Sequence, residues 1–219
     1  MIARRICLLT VIFCLLQACS TAPSVPLSDS TLQNWRQYQL EAGRINSWNL
    51  HGRAAVFVDD DVHNIGLRWR RTGEEFVIVL EAPFGQGVVR LESSRETSYP
   101  IKLSLSDGRV VYAEDAESAL LDAIGIPIPV SGLESWIRGL AMKEMPFSHE
   151  INGDGRLKSL AQNDWHINYL DYFDRGGSAA GLPRKMYLKH DRLALKVVIE
   201  HWQKPLTEVD NNELFPGFK

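Results

Sequence analysis

Hydrophobic and polar positions change period along this chain. In TLQNWRQYQLEAGRIN, Leu32, Trp35, Ala42 and Ile45 fall on one face at helical spacing, and Ser30 or Asp29 stands where an N-cap belongs. From residue 47 the period becomes two. Trp48, Leu50, Ala54, Val56 and Val58 alternate with Asn49, His51, Arg53 and Phe57, and Ile65, Leu67 and Trp69 alternate with Gly66, Arg68 and Arg70. Thr72-Gly73 turns into EFVIVLEA, which is apolar on both faces, and GVVRLES, IKLSLS and RVVYA follow, the last two joined by Asp107-Gly108. DAESALLDAIG reads as a helix between Asp115 as cap and Gly125 as stop. After the break at IPIPV, SGLESWIRGL restarts a helix with a capping-box spacing, Ser131 to Glu134, and ends at Gly139. Strand patterns resume at FSHEI, RLKSLAQ, WHINYLDYF, KMYLKH and RLALKVVIEHW, with turns at Gly153-Asp154-Gly155, Asn163-Asp164 and His190-Asp191; RGGSAAG reads as a flexible loop. The pattern predicts a mainly β, α+β fold. About ten or eleven short strands form one antiparallel meander, which at that size must curl or close. Two amphipathic helices are left to cover one face, with an apolar hollow beneath them.

The N-terminus follows another logic. Arg4 and Arg5 precede an apolar run from Ile6 to Leu16, broken only by Thr10. A membrane-spanning helix needs about 20 apolar residues, so this run has the length of a signal-peptide core. Leu16-Gln17-Ala18-Cys19 has the form of a bacterial lipobox, with Leu at −3, a small residue at −1 and then cysteine. The alternative is ordinary cleavage at Ser20-Thr21-Ala22, which would release a soluble chain with no cysteine. Lipidation at Cys19 would leave a mature chain without disulfides, because Cys7 and Cys14 depart with the signal. Ser20 follows the cysteine, where an aspartate would mark inner-membrane retention in enterobacteria, and so points to export to the outer membrane. The expected layout is a signal over residues 1–18, a lipidated cysteine and Ser/Pro-rich tether over 19–30, one domain over 31–203, and an unpatterned, disordered tail over 204–219.

Charge and motifs then exclude more than they suggest. Without Arg4 and Arg5 the 24 basic residues become 22 against 27 acids, a net charge of −5, and no basic block marks a nucleic-acid surface. Gly85-Gln86-Gly87 lacks the third glycine and the helix of a phosphate loop, GSAAG lacks a nucleophile's serine, and the six histidines form no metal pattern. Asp59-Asp60-Asp61 reads as a solvated hairpin tip. No enzyme, metal or cofactor is expected. What stands out is apolar. Six tryptophans punctuate the pattern, and Ala82-Pro83-Phe84-Gly85 sets a phenylalanine at a turn between two strands. Such a Phe folds back on the core or, pointing outward, probes a membrane or partner.

The lipobox cysteine, WNLHGRAAV, the LRW strand, the APFG loop, IGIPIPVSGLESWIRGL, NDWHINYLDY, LPRKMYL and LKVVIEHW, in that order, resemble the LolB family of outer-membrane lipoprotein receptors, from residue 19 to about 202. The run from Gly125 to Leu140 is the most specific piece. The resemblance implies an incomplete β-barrel of about eleven strands with a helical lid over an apolar cavity. It implies a receptor that accepts acylated lipoproteins from a LolA-type periplasmic carrier and inserts them into the inner leaflet of the outer membrane. A monomer anchored through Cys19 on the periplasmic face is expected. Pro83, Phe84 and Gly85 match the family's protruding loop, whose apolar tip is often leucine. Candidates for contact with acyl chains are Trp48, Leu50, Val56, Leu67, Trp69, Ile78 and Leu80 in the first strands. Trp136 in the lid and Trp165, Ile167 and Tyr169 in a later strand complete the set. Core packing predicts the same residues. The rival readings are a lipoprotein for another hydrophobic ligand, a structural anchor binding protein surfaces, a hydrolase, and a soluble carrier of the LolA type, against which Cys19 speaks because a carrier must not be anchored.

Overall fold

The structure, a computed structural model, describes residues 27–82, 87–93, 98–177, 179 and 181–203. The expected signal over residues 1–18, Cys19 and the expected tail over 204–219 lie outside these, as do Pro83, Phe84 and Gly85.

Helix α1 (Asp29–Gly43) starts earlier than a cap at Ser30 or Asp29 would have it, because Ser28 is the cap: its hydroxyl accepts the Thr31 N–H at 3.2 Å. Eleven strands follow. They are β1 (Ser47–Val58), β2 (Asp61–Thr72), β3 (Glu75–Glu81), β4 (Val88–Ser93), β5 (Ile101–Leu105) and β6 (Val110–Ala113), then β7 (Phe147–Ile151), β8 (Leu157–Gln162), β9 (Trp165–Tyr172), β10 (Pro183–His190) and β11 (Leu193–Gln203). Helices α2 (Ala116–Ile124) and α3 (Val130–Trp136) separate the two groups. All neighbours are antiparallel, in the order β6-β5-β4-β3-β2-β1-β11-β10-β9-β8-β7. The first strand and the last therefore meet at the centre, and the sheet does not close: β6 and β7 are its two edges. The chain passes from one edge to the other through α2 and α3, which lie over the inner face and share its core.

Alternation makes that inner face apolar. One ladder row runs Trp202, Leu50, Trp69, Ile78, Leu91, Leu103 and Val111 across β11 and then β1 to β6. Beside it β1 slips register against β11 between His51 and Gly52, and any Cβ at Gly52 would meet the Val198 carbonyl oxygen. Only glycine fits the bulge. The doubly apolar look of β3 has a simple cause. Val77 and Val79 face outward with Val88 as a small separate cluster, between cross-strand neighbours Arg68, Arg70, Arg90 and Glu92. Long arginine stems shelter the valines while their heads pair with acids, Arg90 with Glu92 and Arg68 with Glu81.

Asp115 and Gly125 bound α2 as the sequence predicts: Asp115 accepts the Ser118 N–H at 2.7 Å, and Gly125 takes φ 76° in the left-handed region. The capping box of α3 does not form. The helix begins after Pro129 with no side-chain cap, the Ser131 N–H and hydroxyl both donate to Glu117, and Glu134 pairs with Arg71. Tertiary partners outbid the local pair. Helix α1 packs on the β7–β8 turn through Trp35, whose ring lies 5.6 Å from His149, and through the Thr31 hydroxyl, which donates to Gly153 O.

Candidate functional site

Between the inner face of β11 and β1 to β4 and the two covering helices lies a wholly apolar hollow. Ala54, Val56, Ile65, Leu67, Trp69, Ile78, Leu80, Leu91, Leu195 and Val197 line it from the sheet. Leu120, Ile128, Val130, Leu133 and Ile137 line it from the helices. Its free volume is only about 40 Å³, against roughly 300–1,000 Å³ for an ordinary ligand pocket. Admitting an acyl chain therefore requires α2 or α3 to move.

Polar contacts around the rim hold α3 down. Arg71 of β2 pairs with Glu134 at 2.6 Å. Arg138, just past the helix, donates to Ile45 O and Glu134 O, each at 3.0 Å. Both guanidiniums lie over the Trp48 ring, at 5.6 and 5.3 Å from its centroid. Burial lowers the Arg138 pKa while the Glu134 carboxylate works against that shift.

Two tyrosines add hydrogen bonds to carbonyls at and just past the C-terminal end of α3, where Trp136 O also accepts the Gly139 N–H at 2.9 Å. The Tyr169 hydroxyl donates to Trp136 O at 3.1 Å and the Tyr38 hydroxyl to Arg138 O at 2.7 Å. Burial pushes both phenol pKa values up, so both remain donors at neutral pH. Tyr38→Phe and Tyr169→Phe are each expected to lower unfolding free energy by about 1 kcal/mol, read from urea melts. An effect near zero would mean that water replaces the hydroxyl.

The other side of α3 faces a different space. A cleft of about 770 Å³ opens among the β1–β2, β8–β9 and β10–β11 turns and the α2–α3 connection. Trp136, Trp165, Met142 and Leu193 give it apolar surface, while Asp59, Asp115, Glu117 and Asp191 bring carboxylates to it. Among the described residues no helix is long and apolar enough to cross a membrane, and no group of three or more His, Cys, Asp or Glu could hold a metal.

An eleven-stranded open sheet with helices across an apolar interior is a scaffold shared by many functions, so sequence kinship has to decide among them. The sequence model of the family described as "Outer membrane lipoprotein LolB" matches residues 46–202. The chain belongs to the LolB family. Outer-membrane lipoprotein LolB of Nitrosococcus oceani is 33% identical over 200 residues, covering 91% of this chain and 97% of that one. The protein of the same name from Francisella tularensis subsp. novicida is 28% identical over 190 residues, covering 86% and 89%. Among solved structures, a LolA superfamily protein from Nitrosomonas europaea superposes with a TM-score of 0.43 at 10% identity, covering 84% of this chain and 96% of that one.

In this LolB-family chain the interior divides the sequence candidates. Val56, Leu67, Trp69, Ile78 and Leu80 line the hollow. Trp48 and Leu50 are buried in the same core beside it. Trp136 and Trp165 border the open cleft, and Ile167 and Tyr169 sit in the core beneath β9 and β10. The sequence reading passed over the covering residues Val130, Leu133 and Ile137, although their spacing of three and four is that of one helical face. It also missed Ala54 and Ile65, which share the alternation phase of Val56 and Leu67. Pro83, Phe84 and Gly85 lie outside the described residues, but the neck of their loop is in view: the Ala82 N–H donates to Gly87 O at 2.9 Å.

Proposed function

We propose that this chain is an outer-membrane lipoprotein-sorting receptor, anchored through Cys19 and tethered by the residues between it and Ser28, the cap of α1. On this reading it accepts acylated lipoproteins from a LolA-type carrier into the hollow beneath α2 and α3, and inserts them into the outer membrane. Membership of the LolB family supports the sorting role. The observation that carries the acceptor role is the hollow, lined throughout by apolar side chains and covered by a short helix with polar ties at its rim.

The physics fits a passive transfer. An acyl chain exposed to water costs about 0.8 kcal/mol per methylene, so an acylated protein passes between shielded sites and does not travel free. Cargo moves toward the better-matched hollow and then into the bilayer, each step downhill, with no nucleotide required. The covering helix exchanges a few rim contacts for a filled interior. The reaction is transfer without bond making, and no catalytic residue is assigned.

A transfer assay tests this. The mature chain carrying Cys19→Ala, made without residues 1–18, is mixed with a LolA-type carrier loaded with lipoprotein, and pull-down shows which protein holds the cargo. Transfer to this chain is the expected result. Cargo remaining on the carrier, with the receptor folded, would overturn the acceptor role and favour another hydrophobic ligand.

A further inference from the structure

The lining of the hollow is apolar, yet beside one end of it lie two buried polar atoms with no partner among the described residues. Trp69, 3% exposed, lines the hollow, and Trp48, 1% exposed, packs edge-on to it with ring centroids 6.1 Å apart and planes at 66°. The indole N–H of each is buried and has no acceptor among the described residues. Trp136 shows the contrasting case, since its N–H donates to Gln162 at 3.2 Å. Buried donors are almost always paired in folded proteins, because leaving one unmade sacrifices its hydration with nothing in return. Departures from that rule concentrate at functional sites.

The position of the two donors gives the hollow a direction. Trp69 stands in the ladder row of Leu50 and Ile78, and Trp48 one step further toward the start of β1, opposite Arg71. Arg71 and Arg138 lie over Trp48. Away from this end, toward Val56, Ile65 and Ile128, the lining is hydrocarbon alone. A ligand suited to such a space carries acceptors without donors at one end and long apolar chains at the other. Ester or amide carbonyls at the roots of acyl chains meet that description. A free carboxylate fits less well, because the two cations are already engaged: Arg71 by Glu134, and Arg138 by the Ile45 and Glu134 carbonyls.

We propose that the Trp48 and Trp69 indole N–H groups hydrogen-bond the acyl carbonyls of a bound diacyl ligand. The ligand's polar root then lies at the Trp48 end and its chains run toward Val56 and Ile65. This rests on the acyl-receptor reading and adds to it which end of the ligand goes where, and by which atoms. It also gives the hollow a means of telling an acylated molecule from plain hydrocarbon.

The test compares two ligands that differ only at the carbonyls: a diacylglyceryl lipopeptide and its dialkyl ether analogue. Both are titrated into the mature Cys19→Ala chain by displacement of a fluorescent fatty probe. Two neutral hydrogen bonds predict tighter binding of the ester form by about tenfold or more. Trp48→Phe/Trp69→Phe, which keeps the aromatic bulk, should bring the ester form down to the affinity of the ether. A carbon-13-labelled ester carbonyl should show its infrared stretch lowered in the complex, and that shift should vanish in the double variant; a purely structural role for the two rings would move neither. Each single variant, expected to lose part of the preference, keeps the test open if the double variant does not fold. A phosphatidylglycerol arm identifies the source. Binding of the lipopeptide alone assigns the donors to lipoprotein anchors, and binding of both assigns them to diacyl lipids at large. Equal affinity for ester and ether forms in the unsubstituted chain would overturn the proposal and leave the indole N–H groups with no more than weak contacts to neighbouring π faces. If neither form binds, the acyl-receptor reading falls and this inference with it.

Discussion

Gln162→Leu is expected to lower the free energy of unfolding by about 3 kcal/mol. Gln162 is 3% exposed at the end of β8, and its amide is fully used. The oxygen accepts from the Trp136 indole N–H at 3.2 Å and the Met142 N–H at 2.8 Å; the nitrogen donates to Met142 O at 3.1 Å and Met145 O at 3.2 Å. Leucine matches the volume but strands donors and acceptors inside the protein, where each costs about 1–3 kcal/mol less whatever relief local rearrangement brings. Glutamate is no substitute, because its carboxylate would accept the first two bonds and repel the two carbonyls. Urea denaturation checks the effect, and a loss under about 1 kcal/mol would mean that water enters and replaces the amide. The same bonds tie the segment after α3 to β8. The variant should therefore also take up a hydrophobic dye more readily in its folded state.

That residue marks where the sequence stopped being legible. In RLKSLAQ, Leu160 marks an inward phase that Gln162 shares, while a glutamine reads as a strand end. A polar residue in the inward phase was itself the flag, since a buried amide must have partners, but its four partners lie some twenty residues away or across the interior. Elsewhere local chemistry sufficed. Asn163-Asp164 makes a turn with both residues at positive φ, 50° and 61°, and Asp115 and Gly125 delimit α2 because their roles need only near neighbours. Ser131 and Glu134 show the opposite case. Their spacing is right for a capping box, yet Glu117 and Arg71 take them, and spacing carries no knowledge of distant partners.

The candidate site divides along the same line. Alternation puts Trp48, Trp69, Trp165 and Tyr169 on inward faces, and all four are buried. Which of them meets the apolar hollow and which the open cleft depends on where α3 lies. It is tied down by the Arg71–Glu134 pair and by two tyrosine hydroxyls, on the carbonyl of Trp136 at its end and on that of Arg138 just beyond. Those are side chains from α1, β2 and β9 converging on one helix end, a pattern that periodicity cannot express. The meeting of β1 with β11 at the centre of the sheet is another such fact, because alternation fixes faces and leaves partners open.

Phe84→Glu is expected to leave cargo acceptance intact and to cut delivery into membranes by about a hundredfold. Phe84 follows Pro83 in the loop whose neck is closed by the Ala82–Gly87 hydrogen bond, and Ala82 ends the run of β3 away from Trp48 and Arg71. If the phenyl ring enters the bilayer during delivery, its burial contributes about 1.5–3 kcal/mol. A carboxylate forfeits that and adds a cost of its own at the interface. Together they reach about 3 kcal/mol, close to two decades in rate if the contact is made in the limiting step. Phe84→Leu keeps an apolar tip and should deliver nearly as well as the unsubstituted chain. Acceptance is read by pull-down from the loaded carrier, and delivery by the fraction of cargo that sediments with liposomes. Normal acceptance with failed delivery separates the hollow from the loop, one shielding acyl chains and the other bringing them to the bilayer. Equal failure in both would show instead that the loop shapes the way into the hollow, and membrane contact would have to be sought on another surface.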